Sequence, residues 1–365
     1  MEKLSNIIRH LERLAPPSLQ EDYDNSGLIV GHPDMEIRGA VICLDSTETV
    51  IDEAIQHGCN LVIAHHPIVF SGLKKFNGKN YVERTVMKAI KHDVAIYAIH
   101  TNLDNVAQGV NAEICSRLGL VDTRVLDVKK GQIKKLVTYC PEKDAEQVRN
   151  ALFAAGAGHI GKYDECSFNT SGVGTFRPGQ GADPTIGQIG VRHHENEIRI
   201  ETIFVQYLEK AVLKALFDAH PYEEVAYELY HTDNQHQGIG AGMVGTLEKP
   251  MDTMAFLSLV KERFGVKSLR HTDITKPKVS TIAVCGGSGS FLLKSALSVG
   301  ADVFLTADYK YHQFFDAEGK IVIADLGHFE SEQFTKELLH RELSREFTTF
   351  ALRLTDIDTN PVKYL

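Results

Sequence analysis

The chain has 365 residues, more than one ordinary hydrophobic core accommodates, so two or three domains are expected. Its composition, 43% hydrophobic and 24% charged, is typical of a globular protein. The formal charge of −9 argues against a general nucleic-acid-binding protein, and no apolar run approaches the ~20 residues of a membrane helix.

The N-terminus, "MEKLSNIIRHLERLAPP", alternates charged and apolar residues at helical spacing. It predicts an amphipathic first helix and lacks the apolar core of a secretory signal. The six cysteines form no CxxC pair, and most stand in apolar runs such as "AVICLD". They are interpreted as reduced core thiols, so the expected location is the cytoplasm.

From residue 36 onward, strand-like and helix-like segments alternate. Strands are predicted at 37–45, 60–66 and 94–100, and helices at 47–58, 81–93 and 109–120. Thr47 is the expected N-cap of the first of these helices, and Gly58 its C-terminal stop. Short, nearly all-apolar strands alternating with helices indicate a parallel sheet covered on both faces.

The middle of the chain has a different order of elements. Predicted strands at 133–141, 166–179, 196–206 and 223–233 surround helices at 142–158 and 207–220. This β-α-β-β-α-β order is that of a ferredoxin-like unit. The predicted division is therefore a first half of an α/β domain (1–130), an inserted ferredoxin-like domain (131–232) and the second half (233–365).

The last third returns to the α/β pattern. Strands are predicted at 279–287, 301–308 and 320–327, and helices at 288–300 and 330–343. "GADVFLTAD" echoes "HGCNLVIAHH" of the first third, which is weak support for two similar α/β halves. The fold class expected is α/β, with the two halves forming one split domain.

Three apolar runs each end at a cluster of histidine and carboxylate. "LVIAHH" ends at His65 and His66, His100 and Asp104 follow "AIYAI", and His328 and Glu332 follow "IVIADLG". Ligands of parallel α/β sheets bind beyond the carboxyl ends of the strands, so we expect these side chains to meet at one sheet edge. His328 and Glu332 stand four apart, on one face of a predicted helix.

Imidazole and carboxylate without thiolate suit Zn, Mn, Fe or Ni. Five such ligands exceed the three protein ligands that one catalytic zinc takes, so a pair of ions about 3.5–4 Å apart fits better. A second histidine pair, His193-His194, has no buried strand before it and is interpreted as a solvated turn.

Six segments together carry a family resemblance: "EDYDNSGLIVG" (21–31), "LDSTETVIDEA" (44–54), "LVIAHHP" (61–67), "IHTNLDN" (99–105), "GADVFLTAD" (300–308) and "ADLGHFESE" (324–332). They resemble the successive motifs of the GTP cyclohydrolase 1 type 2 homologue, or NIF-three-like, family. The likeness covers about the first 130 and the last 130 residues. It implies two divalent ions per chain (Zn, Fe or Mn), a ring-like homohexamer, and metal ligands at His65, His66, Asp104, His328 and Glu332. His100 belongs to the same pattern but not to the implied ligand set.

Two further segments keep alternative interpretations. "CGGSGSF" (285–291) favours either a tight turn or a phosphate contact, and "TADYKYH" (306–312) offers Asp308 and His312 either as proton-transfer groups or as surface residues. "HPYEEVAYE" (220–228) is similar to a motif of divalent-cation-tolerance proteins, but His220 is assigned no metal.

The function expected is a dinuclear metal-dependent hydrolase acting on a nucleotide or a related small molecule, with its catalytic residues unassigned. The alternative is a metal-binding scaffold or regulator without turnover. No nucleophilic serine or cysteine motif supports covalent catalysis. Neither a membrane nor general nucleic-acid binding is expected.

Overall fold

A computed structural model describes residues 2–365. The chain forms two compact units, one made of the chain up to Val128 together with Gln237–Leu365, and the other of Lys129–His236. Within residues 2–365, none of the helices combines the length and apolar character that crossing a bilayer requires. All six cysteines are free, and five of them are buried.

Between Glu2 and Val128 the described chain forms seven strands and five α-helices. The strands are β1 (Glu2–Lys3), β2 (Gly27–Val30), β3 (Glu36–Ile37), β4 (Gly39–Asp45), β5 (Leu61–His66), β6 (Ala95–Ala98) and β7 (Val121–Val128). The helices are α1 (Leu4–Leu14), α2 (Glu48–Gln56), α3 (Tyr81–Lys91), α4 (Thr101–Asp104) and α5 (Val110–Leu118).

The remaining elements follow in two stretches. The unit Lys129–His236 contains β8 (Ile133–Pro141), α6 (Ala145–Ala154), β9 (Phe168–Phe176), β10 (His193–Val205), α7 (Glu209–Ala219) and β11 (Tyr227–His231). After it come β12 (Gly240–Asp252), α8 (Thr253–Phe264), β13 (Arg270–His271), β14 (Lys278–Ser288), α9 (Leu293–Ser298), β15 (Val303–Ala307), β16 (Val322–Asp325), α10 (His328–Glu332), α11 (Thr335–Glu346) and β17 (Ala351–Leu354).

The larger unit is built on two large sheets, beside the two-stranded pair of β1 and β3, which confirms the predicted α/β class. One sheet has the order β17-β4-β5-β6-β2 and the other the order β13-β16-β15-β14-β12-β7. In each sheet three strands with helical connections run parallel: β4, β5 and β6 in the first, β14, β15 and β16 in the second. The halves nevertheless exchange edge strands, because β17 joins the first sheet and β7 the second.

Local sequence explains why the strands and helices begin and end where they do. Every residue of β5 but its last is buried, as expected of a strand covered on both faces. The Thr47 hydroxyl accepts a hydrogen bond from the Val50 amide and caps α2 as predicted. Gly58, just past that helix, has a φ of 70°, which costs a glycine little.

Two predicted helices have other bounds than expected, and one predicted turn is a strand. The helix expected at 288–300 is confined to α9, since Ser288 still belongs to β14 and Ser290–Leu292 forms a 3₁₀ turn. The helix expected at 330–343 is broken into α10 and α11. His193-His194 opens β10 and pairs with β9, so it is not a solvated turn. Pairing with β9 holds this polar segment in a strand, although its sequence by itself did not predict one.

The unit Lys129–His236 has its own core and one antiparallel sheet, with the strand order β11-β8-β10-β9. Its elements follow one another as β-α-β-β-α-β. Ferredoxin-like units have this order of elements. That the unit is ferredoxin-like and that it folds independently both stay predictions. His220 caps α7, and its Nε2 donates to the carbonyl oxygen of Tyr139 at 2.9 Å.

Candidate metal centre

Histidines and carboxylates meet where strands of the two sheets of the larger unit end. His65 and His66 close β5, Asp104 closes α4 just after β6, and α10 after β16 carries His328 and Glu332. The first two strands belong to one sheet and β16 to the other. The expectation of a single sheet edge is therefore wrong, although the predicted residues do converge.

Glu332 occupies the middle of this cluster, and its two carboxylate oxygens face different partners. Oε2 lies 3.0 Å from Nε2 of His66 and 3.1 Å from Nε2 of His328. Oε1 lies 3.9 Å from Nε2 of His65, which in turn lies 3.8 Å from Oδ1 of Asp104. The cluster thus contains two pairs, His66 with His328 and His65 with Asp104, joined by one carboxylate.

Each histidine of the cluster is held through its other ring nitrogen. Nδ1 of His66 lies 2.8 Å from Asp45 Oδ1, and Nδ1 of His328 lies 2.7 Å from Asp308 Oδ2. Nδ1 of His65 lies 2.8 Å from the carbonyl oxygen of Ile99. Such partners place the ring proton on Nδ1 and leave Nε2 directed at the centre, as metal-ligating histidines require.

Two buried atoms in the cluster lack hydrogen-bond partners. They are Nε2 of His65, a residue with 0% exposure, and Oδ1 of Asp104. A buried polar atom without a partner costs about 1–3 kcal/mol, so such atoms require an explanation. A cation between them would satisfy both. Ligand atoms of His65, His66 and Glu332 also lie within 4.8 Å of one another, so the donor set fits a metal ion.

Two glycines near the end of β14 make room for Glu332. A Cβ on Gly287, whose φ is +61°, would lie 2.4 Å from Glu332 Oε1, and one on Gly286 would lie 3.2 Å from Glu332 Cγ. The amides of these glycines donate to Ser331 Oγ and Asn111 Oδ1. These two N–H groups of "CGGSGSF" are therefore used within the protein and do not support its interpretation as a phosphate contact.

The charged groups of the cluster shift one another's pKa values. Burial by itself would lower the pKa of His66, but the carboxylates of Asp45 and Glu332 raise it to about 9. Burial also opposes the charge on His328, yet Glu332 and Asp308 raise its pKa to about 11. Burial and the nearby Glu332 raise the pKa of Asp104 to about 7. The carboxylates of the cluster thus favour positive charge at its centre.

His100 lies beside the cluster without joining the two pairs. Its ring centroid is 5.3 Å from that of His65 and 5.4 Å from that of His66. Its Nδ1 lies 2.7 Å from Oδ1 of Asp24, whose other oxygen accepts hydrogen bonds from Thr101 and Ser26. Burial would raise the pKa of Asp24, but hydrogen bonds from His100 and Thr101 hold it well below its usual range.

Sequence reasoning did not single out Asp45 and Asp24, and it left the role of Asp308 open. Asp45 ends β4 and is the direct register partner of His66 in the parallel pair. The sequence signal that could have identified Asp45 is a carboxylate at the end of the predicted strand next to β5. Asp308, with a positive φ of 56°, orients His328, whereas His312 lies exposed against Tyr311.

The histidine pair of the smaller unit has different surroundings. His193 Nε2 lies 2.9 Å from Glu195 Oε2, its neighbour two residues along the same strand. Among residues 2–365, the one group of three or more ligands close enough to hold an ion is His65, His66 and Glu332.

Fold and site together define an α/β protein with a histidine–carboxylate centre of metal-binding type at the strand ends of two sheets. The model of the family described as Duf34/NIF3 (NGG1p interacting factor 3) matches residues 2–361, and the chain belongs to that family. A relative from Bacillus subtilis, named GTP cyclohydrolase 1 type 2 homolog, is 38% identical over 98% of both chains.

Solved structures agree with this assignment. A Bacillus cereus protein described as related to NIF3 is 37% identical and superposes with a TM-score of 0.86 over 100% of this chain and 99% of its own. A Staphylococcus aureus protein, 27% identical, superposes with a TM-score of 0.78 over the same shares of the two chains. The resemblance inferred from the sequence motifs is thereby confirmed at the level of the family.

Proposed function

We propose that this protein is a hydrolase that uses two divalent metal ions held by His65, His66, Asp104, His328 and Glu332. Its substrate would be a nucleotide or a related small molecule, the class suggested by the name of its relatives. The proposal depends on one observation, which is that the two carboxylate oxygens of Glu332 face two separate pairs of ligands.

The chemistry of the donors supports two ions rather than one. Three neutral imidazoles and two carboxylates carry less charge than two divalent ions bring, and a shared carboxylate offsets the repulsion between cations held close together. Divalent ions in such a site supply Lewis acidity and a water of lowered pKa. The protein's part is to hold each Nε2 in place, through Asp45, Asp308 and the Ile99 carbonyl.

Proton transfer is assigned to His100. Its Nδ1 is hydrogen-bonded to Asp24, which fixes the orientation of the ring towards the cavity in front of the cluster. Its side chain lines the cavity in front of the cluster, as do Asp104 and Glu332. Because His100 stands outside the two ligand pairs, its loss should impair turnover without removing metal.

Metal analysis of reconstituted variants tests the two-pair arrangement. The parent should bind about two ions per chain, and His65→Ala and His328→Ala should each retain about one, because the other pair stays intact. One ion in the parent, or loss of all metal in both single variants, would contradict the arrangement.

A hydrolysis screen on the metal-loaded protein tests the enzymatic part. GTP, phosphoesters and cyclic amides are incubated with the parent, with His100→Asn and with Glu332→Gln. Turnover by the parent alone, with two ions still bound to His100→Asn, supports the proposal. Full metal occupancy without turnover of any compound would favour the alternative, a metal-binding scaffold or regulator.

The assembly implied by the family resemblance is a homohexamer, and we propose that state for this chain. Light scattering on the purified full-length protein gives its mass directly. A monomer or dimer at micromolar concentration would refute the proposal.

A further inference from the structure

A cavity of about 480 Å³ opens in front of the candidate metal centre within the larger unit. Its floor includes His66, Asp104 and Glu332, and its wall carries Tyr23 and Phe70. Phe291, from the turn that follows β14, also lines it. The cavity therefore contains both the proposed chemistry and a set of aromatic rings.

The rings form a continuous row from the mouth to the centre. The Tyr23 and Phe70 centroids are 6.2 Å apart, and Phe70 lies 6.4 Å from His100. His100 then lies 5.4 Å from His66. Each spacing lies within the range of interacting aromatic pairs, so every ring of the row is close enough to contact the next.

The outer rings of this cavity are exposed despite their apolar character. Tyr23 is 65% exposed, Phe70 51% and Phe291 66%. Isolated apolar residues on a surface need no explanation, but a group of them around a polar cavity indicates a binding site. Their exposed surface is available to a ligand whose reacting part reaches the ligand cluster.

The charges of the lining do not favour recognition of a phosphate chain by the protein's own side chains. The residues around the cavity include Glu21, Asp45, Asp104 and Glu332, and among them is neither a lysine nor an arginine. The protein groups that recognise a polyphosphate are guanidinium, ammonium or free backbone N–H groups, so contact with phosphate would be left to the proposed metal ions. The nearby amides of Gly286 and Gly287 already donate to Asn111 and Ser331.

We propose that Tyr23, Phe70 and Phe291 form a subsite for a planar heteroaromatic ring, and that the protein's own side chains recognise this ring rather than a phosphate chain. As the substrate-recognising part of the site, the subsite rests on the hydrolase function proposed above. Ring stacking suits these residues because every nucleobase presents a π-face, whatever its edge carries.

The subsite is tested by measuring equilibrium binding of small-molecule probes to the metal-loaded full-length protein, with ligand-observed NMR as the detection method. The probes are guanosine, uridine and pterin as planar rings, and inorganic tripolyphosphate as a phosphate chain without a ring. Tyr23→Ala and Phe70→Ala should each weaken binding of the ring probes about 5- to 100-fold, the usual effect of losing one stacking partner. Neither change should alter the affinity for tripolyphosphate.

Two matched variants complete the experiment. Phe70→Tyr keeps the ring and should restore binding, and Phe315→Ala removes a phenylalanine that is 66% exposed at another surface and should change nothing. If no ring probe binds, or if Phe70→Ala and Phe315→Ala act alike, the subsite is refuted. Equal weakening of tripolyphosphate by Phe70→Ala would also refute it.

The result can be separated from the fate of the hydrolase proposal. Binding is measured without turnover and is repeated on Glu332→Gln, in which the metal sites are weakened. A ring that binds Glu332→Gln in a Phe70-dependent way establishes the subsite even if the parent hydrolyses nothing. If substrates are hydrolysed at a rate that does not depend on Tyr23 or Phe70, the proposed subsite is refuted and the proposed hydrolase function is retained.

Discussion

Replacing Glu332 by glutamine keeps the volume of the side chain and removes the one charge that both ligand pairs share. Its oxygens lie 3.0 Å from His66 Nε2 and 3.9 Å from His65 Nε2, so both pairs lose the same counter-charge. Glu332→Gln should therefore weaken both metal sites together, whereas changes within one pair should weaken mainly one.

The magnitude follows from Coulomb's law. Two unit charges about 4 Å apart interact by about 4 kcal/mol at an effective dielectric of roughly 20, and a divalent ion by more. We expect a loss of at least about 4 kcal/mol per ion, which corresponds to an affinity about 10³-fold lower. In the metal-free protein the same substitution should lower the pKa values of His66 and His328, because Glu332 helps raise both.

Competition titration with a chromophoric chelator measures the metal affinities, and NMR follows the histidine titrations. Glu195→Gln is the matched control, since Glu195 Oε2 also lies 2.9 Å from a histidine nitrogen, that of His193, but faces no second ligand pair. His193→Ala should likewise leave metal binding unchanged. If Glu332→Gln binds two ions as tightly as the parent, or if either control variant loses an ion, the placement of the site is wrong.

Three further outcomes are expected. Asp45→Asn should loosen the orientation of His66 and weaken one metal site about 10- to 100-fold, and equal loss at both sites would contradict the two-pair arrangement. In chemical denaturation, the metal-free protein should lose stability as pH rises from about 6.5 to 9. The pKa of His66 is about 9 in the folded protein, so protonation of the ring stabilises the fold fully below ~6.5. This stabilisation is lost as the folded ring deprotonates. A free energy of unfolding that does not change with pH over this range would refute the prediction. Finally, Val128 and Gly240 are direct partners in the antiparallel pair of β7 and β12, so excising Lys129–His236 and closing the gap with a short Gly-Ser linker should leave a folded, metal-binding protein. An insoluble or metal-free product would show that the excised unit is needed for the fold or the site.

Local sequence determined much of the fold and the residues of the centre. Apolar runs that stop at polar residues mark β5 and β6, because strands buried on both faces tolerate a polar side chain only where they end. The four-residue spacing of His328 and Glu332 puts both on one face of α10, so their ion pair is a local consequence of helix geometry.

Tertiary structure alone decided what surrounds those residues. Asp45 meets His66 because of the register between β4 and β5, and Asp24 reaches His100 across 76 positions of the chain. Glu332 stands between its two pairs because β16 lies in a different sheet from β5. Helical and strand periodicity act over a few residues, whereas register and sheet pairing depend on contacts between distant segments, so the orienting carboxylates emerge only once the chain is folded.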